Sequence, residues 1–324
     1  MNHEPLFFKP ICKERVWGGC KIGELLERSL PAEKLIGESW EVVDRPEACS
    51  VIELGPFTGW TLRGLIQSDP ESIMGPGWPA DKPFPVLIKW LDCRERLSLQ
   101  VHPPASIAPQ LRGEPKTECW YIAECEPDAG IIAGLNAPMS KEAFENALRA
   151  NELEALCHRF AVSKGDSLFI PSGRIHAIDA GNFILEIQQN SDTTYRVYDW
   201  GRVGLDGTPR ELHIEESLQS INFDDVQPSP QRSATGTQTI ADCDCFRVRK
   251  HELAPAETFT HQSGEEPRLL TLVEGEAFLQ YSDSTESAQK LVKGTNLLFP
   301  YASKAMVQAR TPVTYLLTDH FNRH

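Results

Sequence analysis

Gln100 and His102 stand two residues apart in LSLQVHP, residues 97–103. In an extended strand that spacing turns both side chains, with Ser98, to one face, while Leu97, Leu99 and Val101 take the other. A glutamine and a histidine so placed can converge on one ion; the plainer reading is a polar row facing solvent. Glu118 heads the apolar part of KTECWYI, residues 116–122. A carboxylate there is costly unless it is paired or coordinated. Lys116 shares its face, so a simple surface ion pair is the competing reading. His176 lies in GDSLFIPSGRIHAI, residues 165–178, where Ile175, Ala177 and Ile178 would equally suit a hydrogen-bonded core histidine. Taken together, two histidines, a glutamate and a glutamine form a ligand set suited to a divalent transition metal, most often zinc. NSDTT, residues 190–194, is a turn rich in side chains that bond backbone, and it delivers Arg196 to a new strand. A phosphate or an enediolate would want such a permanently charged donor, and a surface arginine would look the same.

The elements that must position these residues read mainly as strands. PFPVLIKWLDC (83–93), RLSLQVHP (96–103), ECWYIAEC (118–125), DSLFIPSG (166–173), NFILEIQQ (182–189) and YRVYDW (195–200) are short, apolar or alternating, and bounded by turn residues. FRVRKHEL, RLLTLVEGEAFLQY, TNLLFP and VTYLLTD continue the style toward the C-terminus. The strongest helical pattern is SKEAFENALRANELEALCH (140–158), with Ser140 as its N-cap; 22–28 and 61–67 are shorter candidates. VQPSPQRSATGTQ, in the stretch 226–240, lacks periodicity and reads as a linker. It would separate an N-terminal domain, residues 1–225, from a C-terminal one, residues 241–324. A weak repeat links the two. Gly165, five residues, Pro171, four residues and His176 are matched by Gly294, five residues, Pro300, four residues and Ala305.

Composition narrows the function classes. A length of 324 residues fits about two domains, and a net charge of −14 argues against a general nucleic-acid or anionic-membrane surface. An anionic substrate would therefore need a local basic pocket. No run approaches a membrane span, and MNHEPLFFKPICKERVWGG lacks the extended apolar region of a secretory signal. Nine cysteines with no CxxC spacing read as reduced intracellular thiols. A cytoplasmic protein is expected.

These stretches in combination resemble the type I mannose-6-phosphate isomerases, particularly the short bacterial members. The resemblance rests on ERVWGG (14–19), GESWEV (37–42), PFPVLIKWLD (83–92), LSLQVHP, KTECWYI, FIPSGRIHAI (169–178) and LEIQQNSDTTYRVYDWGR (185–202), and covers most of residues 6–220 in order. It implies a mainly β chain of two cupin (jelly-roll, double-stranded β-helix) domains with a small helical segment. The N-terminal domain would be active, and the C-terminal one would have lost its ligand at Ala305. It also implies one zinc ion per chain held by His102, Glu118 and His176, with Gln100 completing the site. Arg196 would be the catalytic arginine and Lys116 the basic group beside the ligand glutamate. Lys89, Arg174 and Arg202 lie near matching motifs as candidate phosphate contacts.

The implied reaction interconverts mannose 6-phosphate and fructose 6-phosphate through a cis-enediol, in a protein taken by default as a monomer. The chain departs from the longer enzymes in lacking a large helical insertion, in reading Lys-Thr-Glu rather than Lys-Pro-Glu, and in carrying Pro104 where many relatives have aspartate. An iron or manganese cupin running oxygen chemistry is the rival class, but Gln100 stands where such proteins usually place the first histidine of an HxH pair. A non-catalytic sugar-phosphate binder is the other, disfavoured by intact Glu118, His176 and Arg196.

Overall fold

The computed structural model describes residues 4–31, 33–281 and 288–321. It is mainly β, and two compact units divide it: one comprises Cys12–Ser39 and Lys89–Ser233, the other the chain up to Ile11, Trp40–Ile88 and the chain from Ala234. The body expected over residues 1–225 is thus split. The reason lies in strand pairing, because the edge strand Leu6–Phe7 adds to Asn296–Phe299, with Leu6 opposite Leu298. The crossing after Ser233 lies inside 226–240. That segment is not slack, since Gln231 bridges to Ser167 and Val226 to Leu135.

In the Cys12–Ser39 and Lys89–Ser233 unit a five-stranded antiparallel sheet runs in the order Cys157–Ala161, Gly130–Leu135, His176–Ile178, Leu99–Val101, Tyr195–Tyr198. Facing it, Glu118–Cys125 lies between Ser167–Ile170 and Asn182–Gln189. Period-2 alternation divides the five-stranded sheet's side chains. Leu99, Val101, Ile132, Ala177 and Val197 point to one face and pack with Phe144, Leu153, Leu218 and Ile221. Ile131, Ala133 and Ile178 point to the other and share a core with Trp120, Ile122, Leu168, Ile170 and Ile184 of the facing strands. Each fully buried valine, leucine, isoleucine or phenylalanine among them contributes roughly 1.5–3 kcal/mol. The face that carries Gln100 therefore looks into the sandwich rather than into solvent.

The expected helix 140–158 is shorter. Ser140 caps it by accepting from Ala143 N at 3.1 Å, and it runs Lys141–Ala150. It stops because Asn151 takes the left-handed conformation (φ 61°) as its C-cap. A single turn, Leu153–Leu156, then leads directly into the Cys157–Ala161 strand. The candidates at 22–28 and 61–67 fold as Lys21–Leu25 and Leu62–Ser68, the latter capped by Thr61. The helix Ile214–Ser220, which packs on the site-bearing strands, escaped the sequence reading.

The other unit repeats the plan with a sheet containing Asn296–Phe299, Arg268–Glu274, Val313–Asp319 and Arg247–Leu253, and a second sheet containing Thr258–His261, Ala305–Ala309 and Ala277–Tyr281. Gly165 (φ 88°) and Gly294 (φ 86°) open the two repeated segments with the same positive-φ turn. Register then aligns the copies residue by residue. His176 pairs with Gln100 and Ile170 with Glu118; Ala305 pairs with His261 and Phe299 with Arg268. The places of Gln100, Glu118 and His176 are thus taken by His261, Arg268 and Ala305. A guanidinium in place of the carboxylate would repel a cation.

Candidate metal centre

Three strands bring the sequence-predicted ligands together. His176 stands opposite Gln100 on one side of the Leu99–Val101 strand, and Arg196 stands opposite Gln100 on the other. His102 follows the same strand, and its carbonyl accepts from Gly173 N at 2.8 Å, tying together the segments that carry the two histidines. Glu118 enters from the facing sheet as the first residue of its strand.

His102, Glu118 and His176 are buried, and one ligand atom from each lies within 4.8 Å of the others. Glu118 Oε2 is 3.5 Å from His102 Nε2, and Glu118 Oε1 is 3.5 Å from His176 Nε2. Each ring is oriented from behind. His102 Nδ1 bonds Thr193 O at 2.9 Å and His176 Nδ1 bonds Arg174 O at 2.9 Å. A carbonyl oxygen only accepts, so both Nδ1 atoms carry the proton, and in the neutral rings both Nε2 lone pairs face Glu118.

Charge states follow from the surroundings. Burial, then the neighbouring His102, pushes His176 down to about 3. Burial and then Lys116 lower His102. Burial alone would raise Glu118, but Lys116 followed by His102 holds it well below the usual carboxylate range. Neutral imidazoles and an ionised carboxylate are the forms that ligate a metal.

The fit to a cation rests on Glu118. Lys116 Nζ is 2.5 Å from its Oε2 and 3.1 Å from His102 Nε2. That contact is a charge contact only, since neither buried oxygen of Glu118 accepts a directed hydrogen bond. Lys116 offsets the charge at Oε2, but two neutral imidazole lone pairs turned toward an ionised carboxylate repel it, and a metal ion would satisfy the carboxylate along with both lone pairs. Among the described residues Glu266, Asp319 and His320 also cluster. There Arg247 and Arg249 already hold Asp319, at 2.9 and 2.5 Å.

The ligand group borders a cleft of about 610 Å³ whose walls include Gln100, Lys116, Arg196, Lys89, Glu186, Arg15, Trp17 and Arg210. Arg196 Nη1 donates to Glu211 O at 2.7 Å, and its buried Nε has no acceptor. Lys89 also lines the cleft, but it is buried 3.3 Å from Asp192 and 3.7 Å from Glu186. Two expected phosphate contacts lie elsewhere. Arg174 grips Asp225 with Nε and Nη2, at 2.7 and 2.8 Å, and donates to Phe169 O, so its donors serve the fold. Arg202 is turned to Asp199 and to the carbonyl of Arg96, off the cleft wall.

The sequence reading missed Glu186. Trp120 Nε1 donates to its Oε2 at 3.0 Å, and Lys116 Nζ lies 3.9 Å from its Oε1. Burial raises it, with Lys116 opposing and Glu118 adding to the rise. The cost argument that singled out Glu118 applies equally to this carboxylate inside NFILEIQQ. Arg210 was also missed, because it lies in a polar stretch without periodicity.

Comparison with known proteins adds independent findings. Residues 6–117 match the sequence model of the phosphomannose isomerase type I catalytic domain. The chain is 37% identical over 312 residues to the mannose-6-phosphate isomerase ManA of Bacillus subtilis, covering 93% of this chain and 94% of that one. It is 39% identical over 221 residues to the mannose-6-phosphate isomerase of Streptococcus mutans, covering 68% of each. The crystal structure of the mannose 6-phosphate isomerase from Bacillus subtilis superposes with a TM-score of 0.87 at 31% identity, over 98% of this chain and 99% of that one. The two double-sheet units are accordingly cupin-like.

Proposed function

The chain belongs to the type I phosphomannose isomerases, and on that premise we propose that it interconverts mannose 6-phosphate and fructose 6-phosphate with the help of one bound zinc ion. The observation that carries the reading is the convergence of two oriented histidine lone pairs on a buried, ionised carboxylate, at the wall of an open cleft. His102, Glu118 and His176 would hold the ion, with Gln100 beside His176. When bound, zinc supplies Lewis-acid polarisation of the sugar oxygens.

The chain's own groups account for the remaining chemistry. Aldose–ketose interconversion moves a proton between C1 and C2 through a cis-enediol, and negative charge develops on O1 and O2. Arg196, level with Gln100 and without a carboxylate partner among the described residues, would hold that charge with a permanently protonated donor. Lys116, on the cleft wall beside Glu118, is assigned to hold and move the proton. Lys89 would serve the electrostatics of the cleft rather than touch the phosphate, because carboxylates already surround it. Among the described residues no helix is long and apolar enough to cross a membrane. The reading includes a cytoplasmic monomer acting on a small sugar phosphate.

The decisive experiment incubates the purified protein with mannose 6-phosphate in D2O, with and without a chelator, and follows fructose 6-phosphate by NMR. Chelator-sensitive isomerisation, restored by zinc, is expected. Absence of turnover by zinc-loaded, folded protein overturns the proposal.

A further inference from the structure

The chain carries one pair of cysteines two residues apart, in DCDC, residues 242–245. On an extended strand such a pair would simply share a face. The structure puts it in a turn instead. Gln238–Asp242 and Arg247–Leu253 form an antiparallel hairpin, with Asp242 opposite Arg247. Cys243 N donates to Phe246 O at 3.0 Å, so Asp244 and Cys245 make the tip of the hairpin. Phe246 is buried, whereas both cysteines are half-buried and both thiols are free.

The turn places the two sulfurs in different surroundings. Cys245 S–H donates to Cys243 Sγ, and the backbone N–H groups of Cys245 and Phe246 point to the same sulfur. Hydrogen bonds to a charged form favour it. The Cys245 thiol therefore lowers Cys243 against burial, and the two amides add to the fall, with Asp244 opposing. The same bond, then burial, raises Cys245, which keeps its proton. In the thiol form Cys243 Sγ donates to Phe246 O at 3.3 Å. Elsewhere burial pushes thiols up, at Cys49, Cys93, Cys125 and Cys157, the last to about 12. Cys20, the exposed one, is raised by its hydrogen bond to Glu24. A thiolate is the attacking form of cysteine, and here its partner sulfur is already in contact. Two virtual bonds of ~3.8 Å, bent in a turn, bring Cα atoms within the roughly 4.4–6.8 Å that a disulfide spans.

We propose that Cys243 and Cys245 form a reversible dithiol site oxidised by hydrogen peroxide, with Cys243 the attacking sulfur and Cys245 the resolving thiol. Cys243 Sγ, as thiolate, attacks one peroxide oxygen. An S–O bond forms, the O–O bond breaks, and the hydroxide that leaves takes a proton from solvent to become water. Cys245 Sγ then attacks the sulfenic sulfur of Cys243. The S–S bond forms, the S–O bond breaks, and hydroxide departs as water with the Cys245 proton. Two thiols thus lose two electrons in all, peroxide is reduced to two waters, and a dithiol reductant reverses the change by exchange. Neither step uses a metal or a sugar phosphate, so the inference stands apart from the isomerase reading.

The test treats the purified protein with hydrogen peroxide at pH 7, with dimedone in a parallel sample, and follows tryptic peptides by mass spectrometry. Peptide 233–247 holds both sulfurs and no other cysteine. In wild type it should lose two hydrogen atoms, regain them with dithiothreitol, and react roughly 10-fold faster than Cys20. Cys245→Ser should stop at a sulfenic acid that dimedone traps on Cys243. Cys243→Ser should slow oxidation of Cys245 by at least roughly 10-fold. A wild-type peptide still reduced after Cys20 has been oxidised overturns the proposal. So does a dimedone adduct on Cys245 in wild type, or over-oxidation of Cys243 without a bridge. Should neither variant fold, the bridged peptide and its rate in wild type decide the matter alone.

Discussion

Gln100 and His176 stand directly opposite one another on adjacent antiparallel strands, with Gln100 Nε2 3.2 Å from His176 Nε2. The amide thus faces the lone pair that a metal would use. Turned over, the same amide would offer its oxygen to the ion instead. Replacing Gln100 by alanine is expected to weaken zinc binding by about 10- to 100-fold, whereas His176→Ala should abolish stoichiometric zinc. Elemental analysis after dialysis against graded chelator reads both. Full zinc retention in His176→Ala would show the ligand set to be wrong.

Lys116 is buried beside Glu118 but is not one of the clustered ligands. Lys116→Met should therefore keep its zinc and lose about 10²- to 10⁴-fold in kcat, the usual range for a proton-transfer group. Deuterium exchange at C2, followed by NMR, should fall in parallel with turnover. A variant that isomerises at the wild-type rate removes Lys116 from the mechanism.

Arg174 was a candidate for phosphate on sequence grounds, and the structure gives its guanidinium to Asp225. Arg174→Met should cost about 1–2 kcal/mol of stability by leaving a largely buried carboxylate without its partner. The affinity for inorganic phosphate should not change. Urea midpoints and calorimetry make the comparison, and a phosphate affinity that drops with stability intact would return Arg174 to the substrate site.

His251 supplies a pH prediction remote from the cleft. It stacks on Tyr315 at 5.1 Å, and Nδ1 meets Thr237 Oγ1 at 3.0 Å, while Nε2 is buried without a partner. Burial, then Arg249, pushes its pKa down to about 4, with Arg268 acting in the same direction and Asp319 opposing. Between the ordinary histidine value of about 6.5 and 4, the unfolded chain binds a proton that the folded chain does not. Stability is therefore lost as pH falls through that window and is full above it. His251→Phe should flatten this slope in urea titrations at pH 4.5 and 7, and an unchanged slope would contradict the assignment.

How far the sequence carried the site depends on the residue. Glu118 was legible because a carboxylate within an apolar strand is costly, and His176 because its Gly-Pro frame recurs without a histidine at Ala305. Glu186 carried the same signal as Glu118. Arg210 carried none, since its place on the cleft wall goes with an ion pair to Asp199, eleven residues earlier, that no periodicity encodes. The helix at 140–158 ended early because one left-handed residue, Asn151, outweighed a continuing apolar pattern.

Alternation within each strand, together with the repeated Gly-x5-Pro-x4 frame, was enough to specify from sequence alone a β-rich chain, whereas the candidate ligand set came from the resemblance to the type I mannose-6-phosphate isomerases. Local periodicity fixes which side chains share a face. It does not fix what that face meets. Only the tertiary structure decided that Gln100's face looks into the sandwich, that Arg174 belongs to Asp225, and that the chain up to Ile11 and Trp40–Ile88 group with the C-terminal strands. The physical reason is that strand pairing and ion pairing join residues far apart in the chain, through contacts that no spacing rule encodes.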